Sequence, residues 1–257
     1  MIDTHAHLYD EQFDADRDEM IVRARAAGVE GFIIPAIDST SFDRMMTLCR
    51  SYSDCCFPCI GLHPTSVGAN YESELSFVEE NIDKYKFKAV GEIGIDSYWP
   101  TEYAEQQIFV FEQQIKWADA RGLPVIIHAR QSFDVIFKVL DRVRTDKTRG
   151  IFHSFTGTAS DYAKIKSYGS FKIGVGGVLT FKKSSLPEVL KEVPLNEIVL
   201  ETDSPYLAPH PFRGKRNESG WLPIIAEKLA EIKNVSIEYV DKITTANAVE
   251  TFGLLDY

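Results

Sequence analysis

Eight short apolar segments alternate with amphipathic segments along the chain. Short runs that are apolar throughout are typical of strands buried on both faces, and their alternation with helical segments is typical of parallel α/β folds. The predicted strands lie at 1–5, 31–36, 57–61, 89–95, 124–128, 150–153, 170–173 and 197–201. The pattern predicts an α/β fold of the TIM type, a (β/α)8 barrel. A doubly wound open sheet is the alternative, but no glycine-rich phosphate motif follows the first strand.

Apolar residues at helical spacing fill the intervals between the predicted strands. Met20, Ala24 and Ala27 recur at this spacing before Gly28, and a similar pattern ends at Gly122, because glycine favours the ends of helices. Further helices are predicted near 39–52, 71–84, 132–145, 158–168, 184–192, 220–232 and 236–252. A chain of 257 residues fits one such barrel, so a single domain over 1–257 is expected.

The charge balance limits the classes of partner. The chain has 28 lysines and arginines against 38 aspartates and glutamates, a net charge of −10. This excludes a protein whose affinity for nucleic acid comes from a broad basic surface, but not an enzyme that binds phosphates through metal and a few local cations. The first residues show no pattern of a signal peptide and no apolar run reaches transmembrane length, so we expect a cytoplasmic protein with no membrane partner.

Four cysteines fall close together in the sequence, at Cys49, Cys55, Cys56 and Cys59. A zinc site or a disulfide is conceivable there, but no second CxxC pair accompanies them. Because segment 57–61 has the pattern of a buried strand and cysteine is among the most buried residue types, we expect buried structural thiols.

The histidines concentrate at the predicted carboxyl ends of strands. His5 and His7 are two residues apart, so in an extended segment their imidazoles share one face. His63, His128 and His153 follow other predicted strands, and the sixth histidine lies in the loop after the last one. Active sites of barrels form at these strand ends, whereas histidines used for packing would scatter. The concentration predicts a metal site.

Carboxylates at the same ends complete two sets of metal ligands. A first divalent ion would be held by His5, His7 and Asp203, and a second by His128 and His153. Two ions a few ångströms apart share a bridging water and bind a phosphoryl oxygen between them.

Two of the carboxylates have candidate catalytic roles as well. Glu92 is expected to bridge both ions, since a carboxylate spans two metals where an imidazole cannot. Asp203 is expected to accept the proton of the activated water. The chain would therefore use two divalent cofactor ions, zinc, manganese or magnesium, and an imidazole-rich ligand set favours zinc, manganese or iron over magnesium.

Seven stretches around these residues form a family pattern. They are IDTHAHL at 2–8, GLHP at 61–64, GEIGID at 91–96, PVIIHAR at 124–130, HSFTG at 153–157, ETDSPYLAP at 201–209 and RGKRNE at 213–218. In this order, and over nearly the full chain, they resemble the TatD-type metal-dependent hydrolases, often described as TatD DNases, among the amidohydrolase-like barrels. Ser154 is one departure, because the family often has cysteine there.

The resemblance implies a TIM-like barrel with a one- or two-metal centre and carries the ligands over to the same six residues. It implies hydrolysis of phosphodiester bonds in DNA, single-stranded or with frayed ends, often as a 3′-to-5′ exonuclease. Phosphate contacts are expected from His63, Arg130, Arg213 and Arg216. The alternatives are a structural ion pair for Arg130 and a solvated run of loop charges at 213–216. Glu201 is expected to orient Lys215 or Arg216.

Two other functions stay open at the level of sequence. One is a metal-dependent ester or amide hydrolase of the same superfamily, such as an aminoacyl-tRNA deacylase, because the same activated water would serve that reaction. The other is a metal-binding protein without catalysis, which the retention of both water-activating carboxylates disfavours. The sequence does not indicate an oligomeric state, and a monomer is compatible with it.

Overall fold

The computed structural model describes residues 1–99 and 102–254. Its strands run parallel and occur where the apolar segments predict them. They are β1 (Ile2–Asp3), β2 (Gly31–Pro35), β3 (Cys56–Cys59), β4 (Val90–Asp96), β5 (Val125–Arg130), β6 (Gly150–Phe152), β7 (Phe171–Val175) and β8 (Ile198–Leu200).

The helices follow the strands in alternation and also match the predicted segments. They are α1 (Arg17–Ala26), α2 (Ser39–Ser51), α3 (Tyr71–Asn81), α4 (Ala104–Arg121), α5 (Phe133–Val143), α6 (Ala159–Ser167), α7 (Leu186–Glu192), α8 (Leu222–Lys233) and α9 (Ile237–Phe252). Helix α2 is capped by Asp38, whose carboxylate accepts the N–H groups of Thr40 and Ser41, and α4 ends at Gly122 in the left-handed conformation. Among the described residues, no helix is long and apolar enough to cross a membrane.

The strands close into a barrel. Strands β1 to β3 pair in chain order, as do β4 to β8. The two groups are joined on one side by Ile60, whose N–H donates to Ala89 O at 3.2 Å and whose carbonyl accepts from Gly91 N at 2.8 Å. On the other side Thr4 N donates to Leu200 O at 3.0 Å. The predicted TIM-type barrel is confirmed, and the doubly wound open sheet is wrong.

A buried carboxylate fixes the junction between the first and last strands. Asp3 is fully buried and accepts hydrogen bonds from Thr202 N at 2.9 Å, Thr202 Oγ1 at 2.6 Å and Ser219 Oγ at 2.6 Å. Burial raises the pKa of Asp3 to about 6, although these donors favour its ionised form. The junction positions the segment that follows β1, which carries His5 and His7.

Residues in or next to seven strands fill the barrel interior near its amino-terminal end, where α9 covers them. They are Ile2, Ile33, Cys59, Ala89, Ile126, Ile151 and Val199, in one cluster with Ala248 and Phe252 of α9. All four cysteines are buried and free, so the prediction of buried thiols is confirmed. The carboxyl-terminal end of the barrel has no such helix across it among the described residues and carries the polar side chains instead.

The close approach of β5 and β6 depends on Gly150, where a Cβ atom would come within 2.0 Å of Val125 O. We expect Gly150→Ala to lower the free energy of unfolding by about 3 kcal/mol, because backbone must move to relieve that clash. The control is Gly28→Ala, since Gly28 has φ +84 but nothing within 4 Å of an added Cβ. That control should cost only about 1 kcal/mol. Urea unfolding measures both, and equal losses would contradict the close-approach argument.

Candidate metal centre

A cavity of about 470 Å³ opens at the carboxyl-terminal end of the barrel. It contains the predicted metal ligands Glu92 of β4, His128 of β5, His153 just after β6 and Asp203 after β8, together with His7 after β1. The lining residues are His7, Ile37, His63, Thr65, Glu92, Asp96, His128, Ala129, Arg130, His153, Ser154, Thr156, Val178, Asp203, Tyr206 and Leu207. Most of the predicted metal ligands, with His63 and Arg130, therefore meet at the end of the barrel where such sites form.

The imidazoles of His5 and His7 both face one oxygen of Glu92 in β4 and one oxygen of Asp203 after β8. Their Nε2 atoms lie 3.2 Å apart. Glu92 Oε2 lies 3.1 Å from Nε2 of His5 and 3.8 Å from Nε2 of His7. Asp203 Oδ1 lies 3.8 Å and 3.6 Å from the same two nitrogens. This first ligand group, His5, His7, Asp203 and Glu92 Oε2, surrounds one point.

The other oxygen of Glu92 faces a second group of imidazoles. Glu92 Oε1 lies 2.8 Å from His128 Nδ1 and 3.3 Å from His63 Nε2. His153 Nε2 lies between the groups, 3.8 Å from Glu92 Oε1 and 3.8 Å from Asp203 Oδ1. The sequence predicted His63 only as a phosphate contact, yet its imidazole lies within the reach of a metal ligand set.

The outer nitrogens of these imidazoles have partners that fix the rings. His128 Nε2 lies 2.9 Å from Asp96 Oδ2, and His7 Nδ1 lies 3.1 Å from the hydroxyl of Tyr9. That hydroxyl donates to a backbone carbonyl of β2 at 2.9 Å. Such second partners set the tautomer and orientation of ligating histidines. The family pattern contained Asp96, but sequence alone gave it no partner and gave no signal for Tyr9.

Glu201 follows β8 directly, and its carboxylate contacts His153 on the buried side of the site. Its Oε1 lies 3.0 Å from His153 Nδ1 and accepts the N–H of Ser154 at 2.5 Å. Gly174 makes room for this carboxylate, because a Cβ there would lie 2.2 Å from Glu201 Oε2. The expectation that Glu201 orients Lys215 or Arg216 is wrong: its carboxylate is fully buried on the inner side of the site, where it contacts an imidazole.

Four residues near the cavity have an unusual backbone conformation. Gln131, Ser154, Asp203 and Leu207 have φ between 45° and 58°, in the left-handed region that side chains other than glycine seldom adopt. All four follow the carboxyl ends of β5, β6 or β8. Such conformations persist where the surrounding structure requires them, and they cluster at functional sites.

Lowered pKa values keep the imidazoles of His5 and His7 neutral near neutral pH. Burial, with the nearby charge of His153, lowers the pKa of His5 well below its usual value, and burial lowers the pKa of His7 to about 4. Burial would raise the pKa of Glu92, but the surrounding imidazoles outweigh it and hold that pKa well below the ordinary value. Neutral imidazoles beside an ionised carboxylate are the donor set that a divalent cation needs.

The remaining histidines take up the positive charge that the carboxylates require. Burial lowers the pKa of His128, but Asp96 and Glu92 outweigh it and raise the value to about 9. Burial likewise opposes protonation of His153, but Glu201, Glu92 and Asp203 raise its pKa to about 10. Burial raises the pKa of Asp203 to about 7. Protonated His128 and His153 supply the positive charge that a divalent cation would supply, so the residues fit a divalent metal centre.

The predicted phosphate contacts divide into two sets. His63 and Arg130 line the cavity, and the Arg130 guanidinium lies 3.8 Å from the ring centroid of Tyr98. Arg213 and Arg216 are not among the lining residues. Arg216 instead pairs with both oxygens of Asp16, at 2.6 Å and 2.8 Å. All four roles in phosphate binding remain predictions, and the geometry of Arg216 favours a structural role.

The chain is similar to known proteins along its whole length. The family model for TatD related DNase matches residues 2–253. The "uncharacterized metal-dependent hydrolase YabD" of Bacillus subtilis is 38% identical over 255 residues, covering 99% of each chain. The "3′-5′ ssDNA/RNA exonuclease TatD" of Edwardsiella piscicida is 30% identical over 260 residues, covering 99% of this chain and 100% of that protein. The crystal structure of YjjV, a TatD homologue from Escherichia coli, superposes with a TM-score of 0.92 at 29% identity, covering 98% of both chains.

Metal loading should release protons, because His128 and His153 are protonated in the metal-free protein up to their pKa values of about 9 and about 10. At pH 7.5 we expect about two protons released per chain when both act as neutral ligands. Metal affinity should rise with pH until both imidazoles are neutral. Calorimetric titration with Zn²⁺ in buffers of different ionisation enthalpy measures the number. Release that is absent at pH 7.5 would contradict the charge assignment.

Proposed function

The chain belongs to the TatD-related DNase family, and on that premise we propose that it is a divalent-metal-dependent deoxyribonuclease. It would hydrolyse phosphodiester bonds of single-stranded or frayed DNA, removing nucleotides from the 3′ end. We further propose that residues 1–257 act as one barrel domain, that the protein works in the cytoplasm and that a monomer is sufficient for activity.

One observation carries the proposal: the two oxygens of Glu92 face two separate groups of imidazoles. Oε2 lies nearest His5 and His7, while Oε1 lies nearest His128 and His63. In each of three sets, the potential ligand atoms all lie within 4.8 Å of one another. The sets are His5 with Glu92 and His153, His5 with His7 and Asp203, and His63 with Glu92 and His128. If two divalent ions bind, His5, His7 and Asp203 would hold one, His128 and His153 the other, and Glu92 would be shared between the two groups.

The donor chemistry bears on metal identity. Imidazole nitrogens outnumber carboxylates among the ligands, and this favours zinc, manganese or iron over magnesium, which prefers oxygen ligands and keeps its waters. We propose zinc or manganese as the resident ions. Magnesium in excess would then support activity without being the metal that the site binds most tightly.

Bound divalent ions supply a water with a lowered pKa and neutralise charge that develops on the phosphate. The chain itself provides the proton acceptor. Asp203 lines the cavity with 16% of its side chain exposed, so its carboxylate is accessible to a water in the cavity and would accept the proton of that water. Glu201 and Asp96 hold His153 and His128 in place, so the ligand rings need not reorient during the reaction.

Substrate phosphate would contact Arg130 and His63 inside the cavity. Arg130 forms no ion pair with a carboxylate in the described part of the chain, which disfavours the alternative of a structural pair. Its guanidinium stacks on Tyr98 and leaves its N–H groups for a phosphate, a geometry that suits arginine better than lysine. Arg213 is a further candidate, whereas Arg216 already pairs with Asp16.

An ester or amide hydrolase is the second candidate, favoured by the net charge of −10 and by a cavity of about 470 Å³ that suits a small substrate. The same proton acceptor would serve that reaction. Turnover of ester and amide substrates, including aminoacyl-tRNA, without any turnover of phosphodiesters would favour this candidate.

The double variant His5→Ala/His7→Ala should lose about one divalent ion per chain, because it removes two ligands of the first group. Elemental analysis of the purified protein measures the content, and circular dichroism checks the fold. The control is His210→Ala, since His210 is exposed and lies outside the ligand groups. Full metal content in the double variant would contradict the ligand assignment.

The nuclease activity can be tested with single-stranded DNA labelled at the 5′ or the 3′ end, in magnesium, manganese or zinc. We expect products that shorten from the 3′ end, and Asp203→Asn should lower kcat by about 100-fold or more because the proton acceptor is lost. A metal-loaded preparation that cleaves no strand with any of these ions would overturn the nuclease proposal. Equal rates for Asp203→Asn would overturn the role of Asp203.

A further inference from the structure

Two loops at the carboxyl-terminal end of the barrel carry basic side chains outside the cavity. The loop after β7 has Lys182 and Lys183, and the loop after β8 has Arg213 and Lys215. All four residues are exposed, and none forms an ion pair with a carboxylate among residues 1–99 and 102–254. Among the other 24 lysines and arginines of the described chain, twelve form such pairs, Arg216 among them, and twelve do not.

The two loops contact each other, so their charges form one surface. The backbone N–H of His210 donates to Thr180 Oγ1 at 2.8 Å. Three residues further along, the Arg213 guanidinium lies 3.6 Å from the ring centroid of Phe181. Phe181 immediately precedes Lys182, so the guanidinium and the two lysines belong to adjoining parts of the surface.

This surface begins at the wall of the cavity. Val178 in the β7 loop and Leu207 in the β8 loop both line the cavity. The loops meet closely there, since a Cβ on Gly177 would come within 2.0 Å of Leu207 O. Lys182 follows Val178 by four residues, a reach of at most about 14 Å at 3.3–3.6 Å per residue.

The β8 loop holds its cations in a fixed position. Phe212 stacks on Trp221 with ring centroids 4.3 Å apart and an interplanar angle of 12°. Arg216 donates to both oxygens of Asp16 and to the carbonyl of Gln12 at 2.6 Å. Arg216 is therefore an anchor of the loop rather than one of its free charges. Anchoring lowers the ordering cost when Arg213 and Lys215 meet a ligand.

We propose that Lys182, Lys183, Arg213 and Lys215, the β7–β8 cationic track, bind the phosphodiester backbone of a nucleic acid strand outside the cavity. The proposal rests on the proposed nuclease function and adds a binding site for the part of the strand that is not being cleaved. Phosphate contacts of this kind position a strand without reading its sequence. In a chain of net charge −10, free cations beside the cavity also steer a polyanion toward that entrance.

The track makes the protein distinguish long substrates from short ones. The variant Lys182→Ala/Lys183→Ala removes two of the four charges. The matched control is Lys138→Ala/Lys147→Ala, which removes two exposed lysines, also without ion pairs in the described chain, from α5 and the loop after it. Both variants lower the total charge equally, so a difference between them reports position.

The substrates are a labelled single strand of about 20 nucleotides, longer than the site of a typical single-strand binder, and the small diester bis-para-nitrophenyl phosphate. For the strand, we expect KM to rise about 10-fold in the track variant with kcat within about 2-fold. The slope of log kcat/KM against log salt should become shallower by about 1.4, at ~0.7 per lost phosphate contact. Turnover of the small diester should equal that of the unaltered protein.

The outcomes separate the two proposals. Cleavage of the strand with equal KM in the unaltered protein, the track variant and the control would overturn the track alone. An equal rise of KM in both variants would also overturn it, because net charge and not position would be responsible. A loss of turnover on the small diester would assign Lys182 and Lys183 to folding or catalysis instead. No cleavage of any strand by the unaltered protein would overturn the nuclease function itself.

Discussion

The structure depends on one electrostatic constraint. The carboxylates of Glu92 and Asp203 lie in a largely buried space, so positively charged groups must lie beside them. An isolated buried charge costs far more free energy than a folded domain can supply, so cations or protonated imidazoles have to stand beside it. In the metal-free protein His128 and His153 meet this requirement. The barrel therefore folds around carboxylates and imidazoles that stabilise one another.

That constraint explains why the barrel junction is built as it is. The segment after β1 must bring His5 and His7 to within 4 Å of a carboxylate from β4 and another after β8. Asp3 achieves this by binding Thr202 and Ser219 in the interior, and Asp203 N donates to His5 O at 2.9 Å. The same contacts that close the barrel therefore set the first ligand group, so stability and ligand geometry are linked at this seam.

The sequence predicts the barrel and six ligand residues, because strand ends are visible in hydrophobic patterning and the ends of parallel strands meet. It does not predict partners that depend on side-chain direction and long-range packing. Arg216 and Asp16 are 200 residues apart, and nothing local indicates that they pair. Likewise, sequence places Glu201 at the end of β8 but does not show whether its side chain turns toward His153 or toward the loop cations. His63 could be placed at the site, but not at 3.3 Å from Glu92.

Charge is distributed so that the same chain can be acidic and still receive an anion. Several of the lysines and arginines that form no ion pair in the described chain lie beside the cavity, with Arg130 at one wall and the cations of the loops after β7 and β8 at another, while others, such as Lys138 and Lys147, lie away from it. In a chain of net charge −10, cations at the entrance would favour anions small or flexible enough to approach that entrance. Under the proposed nuclease function, a single strand would meet this condition better than a rigid duplex, because it would bend toward the cavity while its other phosphates stay in solvent.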